Sequence, residues 1–355
     1  MKNKLLSLPI ILLSGVSNAS TLTSDITSQE RITQKPLEEI VGGSISPRKE
    51  WAVYGGYGCT GFAISANYII AARHCENGAT SGATGWYYST DNNNHVSNVK
   101  EWANINVPTS GDIVLLRLQK PHPLNYYAPI DLDYDPAYGD SGKIYGYGSH
   151  GSIPTTDKSA LYQANVEIHY RENGGSAAGG GTTIKISGID GSCDHGDSGG
   201  PLFVNSANNS VVGTASTGAN NGSNINANCY YADLKQAKQF ILEETGSGVT
   251  GINSASSSKQ IYNGKILYTV VMKLSGNGLS DAQTNLVATS ENGDFFVEKQ
   301  IDNSSTKAIT LLPNNNGEIT FFTGFTSDKN TSKYGRLRIQ AGKVIKYITI
   351  YAEKK

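Results

Sequence analysis

Short apolar runs, separated by glycine, asparagine and serine, constrain the fold of this chain most strongly. From Ile40 to about Tyr231 these runs have the length of β-strands, as at residues 62–64, 112–118 and 211–216. The 355 residues include 40 glycines and 20 tyrosines, whereas only 17% are charged. This composition excludes a helical bundle and a disordered charged chain, and it predicts an all-β protein with many turns.

A second β region follows the clearest predicted helix, residues 233–244, in which apolar side chains recur on one face. Residues 250–258 are rich in serine and predict a linker. Turn sequences at 291–294 and 314–317 then separate strand-like runs, which predicts β-hairpins. We therefore expect an independent, Ig-like antiparallel β-sandwich over residues 259–355, with no catalytic constellation of its own.

The N-terminal region has the pattern of an export signal. Lys2 and Lys4 precede a short apolar run that ends in small residues, with cleavage expected after Ala19. We predict a signal peptide over residues 1–19 and a polar pro-segment over 20–39, and hence a secreted protein, extracellular or periplasmic. The alternative is a buried strand or a membrane anchor, but the run is short for a bilayer about 30 Å thick. No membrane span is expected in the rest of the chain.

Charge and cysteine content narrow the possible partners and cofactors. The formal net charge of −1 gives no electrostatic reason to expect nucleic acid as a partner. No metal or other cofactor is expected: Asp131, Asp133 and Asp135 alternate as in a calcium loop, but Pro136 replaces the required glycine.

An even number of cysteines in an exported chain predicts two disulfides, with three possible connectivities. The cysteines are Cys59, Cys75, Cys193 and Cys229.

The motif with the clearest chemistry is Gly-Asp-Ser-Gly-Gly-Pro at residues 196–201. Its glycines permit a tight turn that exposes the Ser198 hydroxyl, and the amides of Gly196 and Ser198 can hold the oxyanion that forms when a carbonyl is attacked. A serine nucleophile needs a base, for which His74 is the candidate, and Asp112 is the candidate that orients its imidazole. Each motif alone has an ordinary structural interpretation. Together, in this order, they indicate nucleophilic catalysis.

Residues 40 to about 245 resemble the chymotrypsin/trypsin family of serine proteases. The resemblance is carried by residues 40–43, 59–61, 71–75, 112–116, 146–148, 196–201, 216–218 and 231–232. It implies a domain over 40–249 made of two six-stranded antiparallel β-barrels, with the site in the cleft between them. It also implies a secreted serine endopeptidase that acts on protein or peptide substrates without a cofactor. A monomer is expected.

The resemblance also implies roles for individual residues. His74 would be the general base and then the general acid, Asp112 its orienting partner, and Ser198 the nucleophile that forms the acyl-enzyme. The chain would be made as a zymogen. An activating protease would cut after Glu39, and the new amine of Ile40 would pair with Asp197 and order the oxyanion loop.

Substrate contacts and specificity follow from the same resemblance. The disulfides implied are Cys59–Cys75 and Cys193–Cys229, although Cys193 and Cys229 are displaced from the family's usual positions. A bridge there would cross the specificity pocket near its floor, and we expect a shallow or reshaped pocket that does not favour Arg or Lys. The alternative is a one-residue bulge that restores the usual bridge and an open pocket. The residues expected to contact substrate are Ser192, His195, Ser216 and Gly218.

Two other functions stay open on the sequence alone. A catalytically inactive protease homologue acting as a binding or adhesion protein is one, although such homologues usually lose a triad residue and this chain keeps all three. In the other, the C-terminal sandwich carries the main role and the protease only processes it.

Overall fold

A computed structural model describes the residues of this protein in the following ranges: 40–55, 58–76, 84–89, 96–108, 111–148, 160–174, 181–218, 224–263, 265–301, 305–326 and 334–351. All of them belong to one of the two compact units of the chain, Leu37–Lys355. The predicted signal peptide and pro-segment lie outside the described residues. Among those described, no helix has the length and apolar character needed to cross a membrane.

The first six-stranded barrel follows a short edge strand, β1 (Ser44–Ile45). Its strands are β2 (Ala52–Gly55), β3 (Cys59–Ala63), β4 (Tyr68–Ala71), β5 (Thr84–Ser89), β6 (Val96–Pro108) and β7 (Val114–Leu118). They close in the order β2-β3-β4-β7-β6-β5, with antiparallel pairing throughout. Phe62, Ile69 and Trp86 are fully or almost fully buried inside it. Because this apolar interior fixes the strands, their ends can hold site residues in constant positions.

The second barrel is built in the same way and confirms the predicted all-β, double-barrel fold. Its strands are β8 (Ser141–Gly146), β9 (Tyr162–Asn173), β10 (Thr182–Gly188), β11 (Pro201–Val204), β12 (Ser210–Gly218) and β13 (Asn228–Asp233). The order is β8-β9-β10-β13-β12-β11, and β11 pairs back to β8. Buried side chains such as Val166, Ile186 and Leu202 fill the interior.

The predicted helix is present and begins with a tighter turn. Residues Leu234–Ala237 form a 3-10 turn that continues into α1 (Lys238–Thr245). The Asp233 carboxylate accepts a hydrogen bond from the Lys235 amide at 2.9 Å and caps the first turn. Ile241 and Leu242 are buried against the first-barrel core, so the helix holds the end of the second barrel onto the first.

Two four-stranded antiparallel sheets make up the C-terminal region. Their strands are β14 (Val249–Tyr262), β15 (Lys265–Gly276), β16 (Thr284–Ser290), β17 (Phe295–Glu298), β18 (Ala308–Leu311), β19 (Glu318–Phe325), β20 (Tyr334–Ala341) and β21 (Val344–Tyr351). The sheet orders are β14-β15-β19-β17 and β18-β16-β20-β21. Met272 and Phe321 from one sheet share a buried core with Leu286 and Leu337 from the other. The two sheets therefore pack face to face.

Two local predictions for this region differ from the structure. Residues 250–258, predicted as a linker, lie within β14 and pair with β15, because an edge strand is held by backbone hydrogen bonds that polar side chains do not disturb. The turns at 291–294 and 314–317 do not close hairpins. Each joins strands of opposite sheets, since β16 pairs with β18 and β20 whereas β17 pairs with β19. Apolar side chains of both β16 and β17 face the shared core, which places these two strands on opposite sides of it.

The C-terminal sheets contact the barrels through buried polar groups. The Gln283 side chain donates to the Ile64 carbonyl at 3.1 Å, and Lys299 Nζ donates to Ser210 Oγ at 3.0 Å. Burial lowers the pKa of Lys299 to about 8, although the nearby Asp131 carboxylate opposes this shift. Burial likewise raises the pKa of Asp131 to about 6, against the pull of the Lys299 ammonium. The sandwich is thus attached by specific contacts in addition to the chain connection.

Candidate active site

Strand pairing in the first barrel brings His74 and Asp112 together. β4 pairs with β7 so that Ala71 lies opposite Val114. The residues just beyond these two strand ends therefore meet: His74 in the turn after β4, and Asp112 in the loop before β7. His74 Nδ1 and Asp112 Oδ2 are 2.7 Å apart, which is hydrogen-bond distance.

The Asp112 carboxylate is buried, and three hydrogen bonds stabilise its charge. It is 4% exposed and accepts from His74 Nδ1 at 2.7 Å, from the His74 amide at 2.9 Å, and from Ser216 Oγ at 2.7 Å. A proton on Nδ1 directed at this carboxylate leaves Nε2 of the imidazole as a hydrogen-bond acceptor. The ring is 45% exposed, so the arrangement leaves Nε2 able to take a proton from a group in the cleft.

The loop before β11 carries Ser198 to the same cleft. His74 and Ser198 both line a cavity of about 270 Å³. Glycine is needed on both sides of the serine: Gly196 and Gly199 have φ of 91° and 85°, and a Cβ on Gly199 would lie 2.1 Å from the Thr60 carbonyl oxygen. The two glycines therefore permit the tight backbone turn on which Ser198 lies, half-buried, at the cleft.

The same loop carries the backbone amides of Gly196 and Ser198, the two predicted oxyanion donors. Within the described part of the chain, the backbone N–H groups of Gly196 and Ser198 donate no hydrogen bond. Paired, unengaged donors beside a nucleophile can bind the oxygen of a tetrahedral intermediate. The role of these two amides in binding an oxyanion stays a prediction.

Thr60 holds this loop, and sequence reasoning did not single it out as a site residue. Its amide donates to the Ser198 carbonyl at 2.8 Å, and its hydroxyl donates to the Gly196 carbonyl at 3.0 Å. The hydroxyl also accepts from the Tyr147 amide at 2.9 Å. Thr60 is fully buried, so water cannot replace these bonds. The one sequence signal was its position directly after Cys59, within a stretch that carries the family resemblance.

Asp197, predicted to pair with the amine of Ile40, lies fully inside the protein. It accepts from the amides of Gly148 at 3.1 Å and Asp194 at 2.8 Å, and burial raises its pKa well above the ordinary value. Asp197 makes no ion pair with any residue that the structure describes. Ile40 is also fully buried, and its neighbour Val41 exchanges backbone hydrogen bonds with Ser192 at 3.0 and 2.9 Å.

The predicted substrate contacts divide into two groups. His195, Ser216 and Gly218 line the same cavity as Ser198, and His195 is exposed. Ser192 does not line it: the residue is fully buried, and its hydroxyl donates to the Ala227 carbonyl at 3.0 Å. Both implied disulfides, Cys59–Cys75 and Cys193–Cys229, are present.

One group of side chains has the composition of a metal site. A ring nitrogen of His74 and the sulfur atoms of Cys59 and Cys75 lie within 4.8 Å of one another. The two sulfurs are joined in a disulfide and cannot act as thiolate ligands, and Nδ1 of the ring is bonded to Asp112. The group therefore does not fit a metal ion.

Comparison with known proteins assigns the chain to a family. The sequence profile described as Trypsin matches residues 40–241, more than half of the chain. Trypsin alpha of Drosophila melanogaster is 29% identical over 59% of this chain and 88% of its own length. Snake venom serine protease HS112 of Bothrops jararaca is 27% identical over 48% of this chain and 74% of its own. The solved structure of neuropsin, a serine protease expressed in the limbic system of mouse brain, is 19% identical, covers 57% of this chain and 98% of its own, and has a TM-score of 0.43. The chain belongs to the trypsin family of serine proteases.

Proposed function

We propose that the protein is a secreted serine endopeptidase that hydrolyses peptide bonds through an acyl-enzyme on Ser198. The observation that carries the proposal is the buried Asp112 carboxylate bonded to His74 Nδ1, beside a cleft that also holds Ser198. In this proposal residues 40–248 form the protease domain, and the two sheets that begin with β14 at Val249 form an accessory β domain.

The residues of the cleft support an acyl-transfer mechanism with two steps. Ser198 Oγ attacks the substrate carbonyl while His74 Nε2 takes its proton, and the amides of Gly196 and Ser198 bind the resulting oxyanion. Asp112 stabilises the imidazolium that forms. His74 then protonates the leaving amine, and the same groups assist water in hydrolysing the ester on Ser198. No cofactor enters either step.

Activation by cleavage is supported by the surroundings of Asp197. A buried carboxylate without a cation is costly, and its raised pKa expresses that cost. Cleavage after Glu39 by an activating protease would create an ammonium group on Ile40, which the chain already places in the interior next to the Ser192 segment. Pairing of this ammonium with Asp197 would offset the burial of both charges and order the oxyanion loop.

The proposal also holds that the protein is secreted and acts as a monomer. Two disulfides suit an oxidising compartment, extracellular or periplasmic, and one related protein is by its name a venom component. The substrates would be proteins or peptides. The rival function, an inactive homologue that only binds, is disfavoured because the chain retains His74, Asp112 and Ser198, with His74 bonded to Asp112 and lining the same cavity as Ser198.

Protein hydrolysis by the activated chain tests this proposal. The chain beginning at Ile40 should degrade an unfolded protein such as reduced casein, and Ser198→Ala should reduce turnover by about 10⁶-fold. The exposed Ser247 provides a matched control, since Ser247→Ala should keep full activity. Equal hydrolysis by the Ser198→Ala and Ser247→Ala variants would contradict the proposal.

A further inference from the structure

The Cys193–Cys229 disulfide occupies the space between the two walls of the cleft. Cys193 belongs to the loop that leads to Ser198, and Gly218 on β12 pairs with Cys229 on β13. A Cβ built on Gly218 would lie 2.6 Å from Cys193 Sγ and 3.7 Å from Cys229 Sγ. Sulfur is therefore already in contact with the Gly218 backbone, and no side chain can pass between the loop and β12 at this level.

The residues beneath the bridge are cut off from the cleft. Ser192 and Cys229 are both fully buried, and the Ser192 hydroxyl lies 3.2 Å from Cys229 Sγ. The Cys193 amide lies at the same distance, 3.2 Å, from that sulfur. Cys193, by contrast, lines the cavity beside Ser198. The cavity therefore ends at the bridge, and Ser192 lies below its floor.

The charged side chains near the cleft do not favour binding of a substrate Arg or Lys side chain in the space below Ser198. Asp190 is exposed, and its two carboxylate oxygens accept from the Asn165 backbone and side chain at 2.6 and 2.5 Å. Asp194 lines the cavity, but its carboxylate accepts from the His195 amide at 2.7 Å, on the exposed side of the loop. Asp197 also lines the cavity, but it is almost fully buried and its carboxylate already accepts from the Gly148 and Asp194 amides. A substrate Arg or Lys would therefore meet no unengaged buried carboxylate among the described residues, and burying its charge would be strongly unfavourable.

We propose that this bridge forms the floor of the primary specificity pocket, so that the enzyme cleaves after residues with small, uncharged side chains such as Ala, Ser and Gly. The inference rests on the proposed peptidase function and specifies its substrate class. Aromatic side chains are excluded by the sulfur atoms, and Arg and Lys by both size and lack of a counter-charge. Ser192 acts in this pocket only as support for the bridge.

The test is a series of peptide p-nitroanilides that differ only in the residue before the cleaved bond: Ala, Val, Phe and Arg. We expect kcat/KM for Ala to exceed that for Phe and Arg by about 100-fold or more, since steric exclusion adds to the selectivity of an apolar pocket. The double variant Cys193→Ala/Cys229→Ala removes the floor and should raise the Phe-to-Ala ratio at least about 10-fold. The matched variant Cys59→Ala/Cys75→Ala removes the other disulfide and should leave this ratio unchanged.

The outcomes separate this proposal from the proposed function. If a fluorophosphonate labels Ser198 in the activated chain and the unmodified enzyme cleaves after Arg or Phe as well as after Ala, the pocket proposal is overturned and the peptidase function stands. If Ser198 is not labelled and no substrate is cleaved, the peptidase function fails and the pocket proposal with it. If the Cys193→Ala/Cys229→Ala variant does not fold, inhibition of the unmodified enzyme by matched Ala and Arg peptide aldehydes decides. Weaker inhibition by the Arg aldehyde than by the Ala aldehyde supports the proposed pocket floor, and equal or stronger inhibition by the Arg aldehyde overturns it.

Discussion

Replacing Asp112 with asparagine should disable catalysis while leaving the fold intact. Asp112 Oδ1 accepts from the His74 amide, whereas Oδ2 accepts from both His74 Nδ1 and Ser216 Oγ. In the Asp112→Asn variant the side-chain oxygen keeps its hydrogen bond from the His74 amide, so the NH₂ group faces His74 Nδ1. That nitrogen must then accept, which moves the imidazole proton to Nε2. An Nε2 that carries a proton cannot take one from Ser198.

The lost charge sets the size of the effect. Two unit charges 2.7 Å apart attract by about 6 kcal/mol at an effective dielectric constant of about 20. The His74 ring is 45% exposed and its charge is delocalised, so solvent reduces this to roughly 5 kcal/mol. At about 1.4 kcal/mol for each tenfold change in rate, kcat should fall by about 10³–10⁴-fold.

The assay is steady-state hydrolysis of an Ala p-nitroanilide peptide by the activated chain, with circular dichroism to verify folding. Asp135→Asn is the matched control, because the Asp135 side chain is 72% exposed and its ion pairs are with Arg171 and Lys235, which do not line the cavity beside Ser198. It should keep full activity. A folded Asp112→Asn variant with more than about a tenth of the original kcat would refute the reasoning.

Three further predictions concern the loop, its activation and the accessory sheets. Thr60→Val keeps the shape of the side chain but removes the hydroxyl that donates to the Gly196 carbonyl and accepts from the Tyr147 amide, so kcat should fall about 10-fold or more with KM nearly unchanged, and Thr60→Ser should restore it. Identical kcat in Thr60→Val would contradict the role assigned to this residue. Asp197→Asn should leave activity equally low before and after cleavage at Glu39, whereas a large gain on cleavage would contradict the Ile40–Asp197 pair. Lys299→Met removes a positive charge that lowers the pKa of Asp131. The melting temperature of the variant, measured relative to that of the unmodified chain, should therefore fall between about pH 5 and pH 8, as pH rises through about 6. The sign follows because a carboxyl with a raised pKa loses stability when it ionises. The same melting-temperature difference at both pH values would contradict the buried contact.

The candidate catalytic residues are recognisable in the sequence because their signals are local. Glycines on both sides of Ser198 predict the tight turn, and the apolar run after Asp112 predicts that this residue lies at the start of a strand. The pairing of β4 with β7, which only the fold supplies, brings His74 and Asp112 together, and the loop before β11 carries Ser198 to the same cleft. Thr60 was missed for the same reason: its hydroxyl acts on Gly196, 136 positions away.

The C-terminal region shows where turn signals stop being informative. Residues 291–294 and 314–317 are turns, but a turn sequence does not specify which strands pair on either side of it. The shared core decides that, because apolar side chains on both flanking strands must face it from opposite sheets. The polar sequence of residues 250–258 predicts a linker, but an edge strand can be polar and still pair through its backbone.

Covalent labelling of Ser198 tests the central claim most directly. The activated chain should react with a fluorophosphonate at one site per chain, and peptide mass spectrometry should locate the adduct on Ser198. His74→Ala should react far more slowly, because the serine loses its base. An adduct on another serine, or labelling of His74→Ala at the rate of the unmodified chain, would contradict the account.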